Sequence, residues 1–263
     1  MKKIIFLSLV GILLAGCSTV TITGRKQLSL VSNADVLSMS ATSYKQLIDS
    51  VPLSTDVQSA ALVKKVGKRI ADAVETYLKN NDMSADVANY SWEYNLVKDT
   101  VKNAFCMPGG KIVVYEGILP VTQNEAGLAV VLGHEVAHAV AKHSNERISQ
   151  QMVAQYGAAL TDMLLQNKSA VTRNTINTVY GIGAQVGVLL PYSRKQELEA
   201  DHLGLIFMAM AGYDPNEALA FWQRMAASTS GASLEILSTH PSDQNRIAQI
   251  KADLPEALKY YKK

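Results

Sequence analysis

The clearest pattern of hydrophobic and polar positions is a helical stripe between residues 54 and 84. Apolar side chains recur there at spacings of three and four, which places them on one face of an α-helix. The stripe consists of Val63, Val66, Ile70, Val74 and Leu78. Ser54 supplies an N-cap signal before the stripe, and the polar stretch from Asn80 to Ser84 ends it. The pattern predicts one long amphipathic helix.

Two shorter segments that follow this helix have the pattern of β-strands. From Tyr90 to Leu96, apolar residues alternate with polar ones, as in a strand with one buried face. Lys111–Tyr115 is a second apolar run, and the turn signal Pro108-Gly109-Gly110 precedes it. The sequence therefore predicts a small β-sheet in this part of the chain.

Helical patterns dominate the rest of the chain. Thr122-Gln123-Asn124-Glu125 is interpreted as a capping box, and the helix that it opens is expected to run past His138 towards Arg147. The stretch Gly181–Leu190 is apolar but flanked and interrupted by amides, which favours a buried helix or a lid over a membrane span. Further helices are predicted through 197–207, 216–225 and 243–254. The predicted fold class is α+β and mostly helical.

Composition excludes several classes of protein. The chain of 263 residues is 48% hydrophobic and 18% charged, which supports a sizeable core and argues against intrinsic disorder. Its net charge is +2, and the chain becomes neutral when Lys2 and Lys3 are removed. An electrostatic nucleic-acid binder is therefore not expected. Two cysteines do not make a disulfide scaffold.

The first seventeen residues have the form of a bacterial targeting signal. A basic start is followed by the apolar run Ile4–Leu14, which is shorter than the roughly 20 residues that span a bilayer as a helix. The sequence Leu14-Ala15-Gly16-Cys17 resembles a lipobox, in which the cysteine is acylated. An ordinary signal peptide or a buried N-terminal helix is the alternative interpretation.

This interpretation divides the chain into three parts. A lipoprotein signal peptide is expected over residues 1–16, and a lipidated N-terminus with a tether over 17–33. A single domain is expected over 34–263. Lipidation of Cys17 predicts a periplasmic protein held on a membrane, and Ser18 in the next position favours the outer membrane.

The motif His134-Glu135-Val136-Ala137-His138 carries the candidate chemistry. Residues four apart on a helix are separated by about 40°, so both imidazoles lie on one face. Such a pair suits two of the three protein ligands of a catalytic zinc, with Glu135 as general base towards water at the metal. From Ala126 to Ala141 these three are the only ionisable residues, so the helix is expected to be buried. The alternative is a pair of hydrogen-bonded core histidines with a capped glutamate.

Spacing alone leaves the third metal ligand open. His143 lies about 140° from the ligand face, and we interpret it as a surface residue near the end of the helix. Glu197 and Asp201 share one face of a later helix, whereas Glu199 points about 160° away from Glu197. One face of that helix can give a carboxylate to zinc and another to a ligand histidine. Periodicity does not choose between the Glu197/Asp201 face and Glu199.

The order HEVAH, about sixty residues, then ELEAD resembles the gluzincin-type zinc metallopeptidase family of HtpX and the CAAX prenyl proteases. Within that family the chain is most similar to the periplasmic lipoprotein branch of LoiP and BepA. The resemblance implies Glu197 as the third zinc ligand, Asp201 as the partner of a ligand histidine, and one zinc ion per chain. It implies a zincin-like metallopeptidase domain with a small β-sheet whose edge strand flanks the HExxH helix.

The same resemblance implies a substrate-binding strand and two further residues near the metal. The substrate is expected to lie extended along an edge strand over residues 104–115. The residues assigned to this strand are Asn103, Ala104, Gly109 and Gly110. His240 and Arg246 are placed near the site, where either could stabilise an oxyanion or regulate the metal. For His240 the alternative is a loop cap before Pro241.

The implied function is that of a zinc-dependent endopeptidase, anchored by lipid in the bacterial envelope, that cleaves unfolded or damaged envelope proteins. The expected partners are those proteins and the membrane, with the oligomeric state left open. One alternative is an envelope chaperone that uses the same cleft without proteolysis. Another is a metal-dependent amide hydrolase that acts on small substrates. Cys106 is interpreted as a free thiol rather than a nucleophile, because Phe105 and Met107 beside it are apolar.

Overall fold

A computed structural model of the chain describes residues 17–184, 190–227 and 244–262. Its strands are β1 (Cys17–Thr19), β2 (Lys26–Leu28), β3 (Glu93–Val97), β4 (Ala104–Met107) and β5 (Lys111–Tyr115). Its helices are α1 (Asn33–Ser50), α2 (Val57–Asn80), α3 (Ser84–Val87), α4 (Leu119–Thr122), α5 (Glu125–Val140), α6 (His143–Leu164), α7 (Ala170–Ala184), α8 (Leu190–Met210), α9 (Glu217–Ala227) and α10 (Gln244–Ala257). Helices dominate and the sheets are small, so the predicted mostly helical α+β class is confirmed.

The chain divides into two compact units. The first unit consists of residues up to Val36 together with Lys142–Gln196, and the second consists of Leu37–Ala141 together with Glu197–Lys263. The prediction of a single domain over 34–263 stays a prediction.

In the first unit, a buried ion pair fixes the hairpin of β1 and β2 to α6. The carboxylate of Glu146, which is fully buried, accepts hydrogen bonds from both terminal nitrogens of Arg25 at 3.0 and 2.8 Å. The Gln196 amide donates a third hydrogen bond to the same carboxylate at 2.9 Å. A buried charge needs such partners, because an unpaired carboxylate is costly away from water.

The second unit contains a three-stranded sheet in the order β3-β5-β4. β3 is parallel to β5, and β4 is antiparallel to it, so β4 lies at one edge of the sheet. α5 packs against β4. The HExxH helix is therefore flanked by an edge strand, as the sequence predicted. The prediction that residues 104–115 form the edge is wrong in one respect, because residues 111–115 form β5, the central strand of the sheet.

The amphipathic helix predicted from the apolar stripe is α2, and its stripe residues are all buried. Its N-cap is Asp56 rather than Ser54. The Asp56 carboxylate accepts hydrogen bonds from the backbone N–H groups of Gln58 and Ser59 at 3.0 and 3.1 Å. The hydroxyl of Ser54 instead donates to the carboxylate of Glu116.

The HExxH helix is shorter at both ends than the sequence pattern predicted. Its N-cap is Asn124, whose side chain accepts a hydrogen bond from the N–H of Gly127 at 2.8 Å, while Thr122 ends the short helix α4. The helix ends at Val140, because Lys142 has a left-handed backbone with a φ of 58°. His143 then begins α6 and is 1% exposed, so its interpretation as a surface residue was wrong.

Among the described helices, none combines the length and hydropathy that a membrane crossing requires.

Candidate metal centre

The centre forms where α5 and α8 lie close enough for their backbones to touch. A Cβ atom added to Gly133 would lie 2.8 Å from the carbonyl oxygen of Gly204, and one added to Gly204 would lie 2.9 Å from the backbone nitrogen of His134. Only glycine permits this approach. It brings the HExxH face of α5 against the face of α8 that carries Glu197 and Asp201.

Three potential ligand atoms converge between these helices. The Nε2 atoms of His134 and His138 are 3.1 Å apart. One carboxylate oxygen of Glu197 lies 3.2 Å from Nε2 of His134, and the other lies 3.4 Å from Nε2 of His138. All three side chains are buried. Among the described residues, this is the group of histidine, cysteine and carboxylate side chains that could hold a metal ion.

The donor set and its spacing fit zinc. Two ligand atoms about 2 Å from a tetrahedral zinc ion lie about 3.3 Å apart, which is close to the separations of these three side chains. Two imidazoles and one carboxylate also form a ligand set of catalytic zinc sites, which keep a fourth position open. Glu197 therefore lies where the resemblance placed the third ligand. Glu199 on the same helix is also buried, but the converging group does not include it.

Asp201 orients one of the two imidazoles. Its carboxylate lies 2.9 Å from Nδ1 of His134, which directs Nε2 of the same ring towards His138 and Glu197. Burial would raise the pKa of Asp201, but the Arg246 charge and the hydrogen bond with His134 outweigh it and hold the pKa below its ordinary value. The carboxylate is therefore ionised and can accept the N–H of His134.

Glu135 is buried in α5, the helix that packs against the edge strand β4. It is 3% exposed, and its charge acts on the thiol of Cys106 in β4. Burial, and next the charge of Glu135, raise the pKa of Cys106 well above its ordinary range. The thiol is buried and neutral, which agrees with its interpretation as a free thiol without a nucleophilic role.

Arg246 extends from α10 to the metal centre and contacts the carboxylates of Asp201 and Glu197. Its Nε and Nη2 atoms donate to the two carboxylate oxygens of Asp201 at 2.5 and 2.8 Å. Its Nη1 lies 3.4 Å from the carboxylate of Glu197. Arg246 is 2% exposed, and its guanidinium carbon lies 3.8 Å from the centre of the Trp222 ring on α9. Trp222 is not predicted from the sequence, because one aromatic residue in an amphipathic helix carries no sign of a metal site.

The residues predicted to bind substrate lie at the start of β4 and in the turn that follows it. Ala104 begins β4, and the side-chain oxygen of Asn103 accepts a hydrogen bond from the backbone N–H of Ala104 at 2.9 Å. Gly109 and Gly110 form the turn from β4 to β5 with φ values of 89° and 83°, which few other residues tolerate. These two glycines are thus required by the turn itself.

Two predicted features are not covered by the structure, and a third is covered but not tested. His240 and the signal peptide over 1–16 lie outside the described residues. Cys17 begins β1, and its lipidation stays a prediction.

Residues 64–254 match the model of a protein family described as Peptidase family M48. This span includes all the residues of the centre described above. The predicted recognition of a zinc metallopeptidase family is confirmed at this level.

Curated proteins similar to this chain are longer than it is. The mitochondrial metalloendopeptidase OMA1 of Schizosaccharomyces pombe is 40% identical over 186 residues, which cover 70% of this chain and 53% of that protein. The human metalloendopeptidase OMA1 is 29% identical over 247 residues, which cover 90% of this chain and 46% of that protein. The β-barrel assembly-enhancing protease of Escherichia coli is 25% identical over 228 residues, with coverages of 85% and 44%. The chain spans about half the length of these relatives.

These relatives correct the predicted localisation. Three relatives that are 35 to 40% identical to the chain are named as mitochondrial proteins. The bacterial assembly-enhancing protease is only 25% identical. The predicted location in the bacterial periplasm and outer membrane is therefore wrong, and the assignment to the bacterial lipoprotein branch is not confirmed. That prediction was based on residues 1–18, which lie outside the family match.

Proposed function

The chain belongs to peptidase family M48, and on that premise we propose that it is a zinc-dependent endopeptidase that cleaves extended segments of unfolded or damaged proteins. The observation that carries this proposal is the convergence of His134, His138 and Glu197, with Glu135 buried beside them. The arrangement lies next to an edge strand, which gives a polypeptide substrate a place to bind.

The three converging side chains would hold the zinc ion. Bound zinc supplies a Lewis acid, which makes water acidic near neutral pH and polarises a carbonyl group. Asp201, which is bound by Arg246, maintains the orientation of His134 by its contact with Nδ1, on the side of the ring away from the ligand atom Nε2. Among the described residues, the carboxylates of Glu135, Glu197 and Asp201 are buried together with Arg246, which pairs with Asp201, and such a group of carboxylates favours a divalent cation.

Glu135 would transfer the protons of the reaction. As the general base, its carboxylate takes a proton from the water molecule that attacks the scissile carbonyl. As the general acid, it then delivers that proton to the nitrogen of the leaving amine. Its burial in the helix that packs against β4 supports this role, because a substrate on β4 would pass close to that helix.

The substrate would add to β4 as a further strand. β4 pairs with β5 along one side, and within the described residues no strand pairs with its other side. Backbone hydrogen bonds recognise an extended chain whatever its sequence, and a folded domain offers few such segments. This favours unfolded or damaged proteins as substrates, and hence a role in protein quality control. One relative is a β-barrel assembly-enhancing protease of Escherichia coli, and this likeness supports proteins as the substrates.

The proposal is tested with the zinc-loaded full chain and Glu135→Gln, each given an unfolded protein and, separately, short capped amides. We expect cleavage of the unfolded protein by the parent alone. Glu135→Gln removes the base but leaves the zinc ligands, so it should bind as much zinc as the parent. Cleavage of the capped amides alone would favour a small-substrate hydrolase. An undiminished effect on unfolded proteins by Glu135→Gln would favour a chaperone and contradict the proposal.

A further inference from the structure

The Trp222 ring is buried beside the metal centre and contacts the side chains of Arg246 and His134. It is 3% exposed, so a substrate in the cleft cannot reach it. One face of the indole lies 3.8 Å from the guanidinium carbon of Arg246. The centre of the His134 ring lies 6.1 Å from the indole at an interplanar angle of 73°.

The guanidinium of Arg246, which Trp222 contacts, has to be held in one orientation to bind Asp201. Arg246 is 2% exposed and must place two nitrogens on Asp201 at the same time. A guanidinium has rotatable bonds along its stem, so its plane is set by what lies above and below it. The indole supplies a flat surface with negative charge on its face, which attracts the cation and fixes its plane.

These contacts form a chain across four helices. Trp222 on α9 contacts Arg246 on α10, Arg246 binds Asp201 on α8, and Asp201 lies 2.9 Å from Nδ1 of His134 on α5. A small displacement of the guanidinium would therefore move or release Asp201. The His134 ring would then lose the contact that directs its Nε2 towards the metal position.

We propose that Trp222 is a positioning residue for the metal centre, acting through Arg246 and Asp201 on the ring of His134. The inference rests on the metal site of the proposed function. It adds that zinc affinity depends on the negative charge of the indole face, which holds Arg246, although the indole itself does not bind the metal.

The most specific test changes the charge of the indole face without changing its size. The chain contains two tryptophans, so Trp92→Phe leaves Trp222 as the one that remains. Trp92 stacks on Tyr90 at 4.8 Å and is not part of the contact chain. In this background, Trp222 is replaced biosynthetically by tryptophan with one, two or four fluorine atoms, which progressively weaken the attraction for a cation. Zinc affinity is measured by competition with a chelator, and folding by circular dichroism.

We expect zinc affinity to fall stepwise with the number of fluorine atoms, by about three- to tenfold at the highest substitution. The absorption spectrum of bound cobalt should shift along the same series, because the geometry of the ligands changes. Equal affinities and identical cobalt spectra across the series would overturn the proposal.

A second set of variants separates positioning from simple core packing. A cavity lined by Val130, His134, Asp201, Trp222 and Ile250 borders the indole, so a smaller side chain there also loses packing. Trp222→Leu is compared with Phe207→Leu, which alters a fully buried aromatic residue of α8 that packs against Tyr77. Trp222→Leu should lower zinc affinity by about 10- to 100-fold and Phe207→Leu by much less, with Trp222→Phe recovering most of the loss.

The outcomes separate this inference from the proposed function. Equal losses of zinc affinity in Trp222→Leu and Phe207→Leu would overturn the inference, while the parent would still bind zinc. A folded parent that binds no zinc would instead contradict the metal site itself. If Trp222→Leu does not fold, the fluorinated series decides, since its side chains keep the size of tryptophan.

Discussion

Gly133 and Gly204 lie against each other where α5 crosses α8. A Cβ atom on Gly133 would lie 2.8 Å from the carbonyl oxygen of Gly204, which is backbone and cannot rotate away. His134 follows Gly133 directly, and Asp201 lies one turn before Gly204. The pair of glycines therefore sets the distance between the two helices that supply the ligands.

Gly133→Ala should lower zinc affinity even though alanine favours a helix by about 1 kcal/mol over glycine. The added methyl group forces the helices apart, at a cost of about 1–3 kcal/mol, and separates His134 from Glu197. The measurement is zinc affinity beside the free energy of unfolding of the metal-free protein.

The matched control is Gly67→Ala in α2. A Cβ atom there would lie 2.5 Å from the side chain of Tyr94, and neither residue is among the side chains of the metal centre. This variant should lose stability but keep its zinc affinity. The role of the glycine contact would be contradicted if both variants bound zinc as tightly as the parent.

Asp201→Asn should weaken zinc binding by about 10- to 100-fold while leaving the three ligands in place. The amide keeps the size of the carboxylate but loses the charge that pairs with Arg246 and His134. Asp72→Asn is the control, because Asp72 pairs with Lys68 on the exposed face of α2. Equal zinc affinities of Asp201→Asn and Asp72→Asn would show that Asp201 does not orient the histidine.

Zinc binding should release a proton at neutral pH. Burial and the Arg246 charge lower the pKa of His134, but the hydrogen bond and charge of Asp201, with Glu197, outweigh them and raise it to about 9 in the metal-free protein. The imidazole must be neutral to bind zinc. Zinc affinity should therefore rise with pH until about 9 and then level off.

The raised pKa of His134 has the opposite effect on the stability of the metal-free protein, which should fall as the pH rises. A raised folded-state pKa contributes stability that is complete below the ordinary value of 6.5 and is lost as the pH rises through about 9.

The proton that zinc binding releases is measured by calorimetry in two buffers of different ionisation enthalpy. An unchanged heat of zinc binding between the two buffers at pH 7 would contradict the assignment.

Cys106→Ala should retain peptidase activity within about twofold. Its thiol is buried and its pKa is raised by burial and by Glu135, so it is not a thiolate near neutral pH. The test is the rate of cleavage of an unfolded protein by parent and variant. A loss as large as that of Glu135→Gln would assign the cysteine a catalytic role.

The sequence predicted those parts of the fold in which the pattern of residues within a single segment is sufficient to determine its secondary structure. The stripe of α2 identifies a helix because five buried residues repeat at helical spacing. The HExxH residues share a helix face for the same reason. Boundaries were less accurate, since Thr122 and Asn124 are both good capping residues and only the tertiary structure selects Asn124. The end of α5 depends on the left-handed backbone of Lys142, a residue with no preference for that conformation.

The part of the site that sequence analysis missed is formed by residues that meet only in the folded chain. Trp222, Arg246 and Asp201 lie on three different helices, and no local spacing relates them. Arg246 was placed near the site by resemblance, but its bidentate contact with Asp201 became visible only in the structure. The predicted localisation is wrong for a different reason. It depends on the N-terminal residues 1–18, whereas the similarity to mitochondrial proteins extends over 70% of the chain.

The most direct test of the account is the zinc content of the purified, folded full chain beside that of His138→Ala. His138 supplies one of three converging ligand atoms, so its loss should leave two ligands and remove most of the affinity. The account predicts about one zinc ion per parent chain and a large loss in the variant. A well-folded parent that holds no zinc, even after reconstitution, would contradict it.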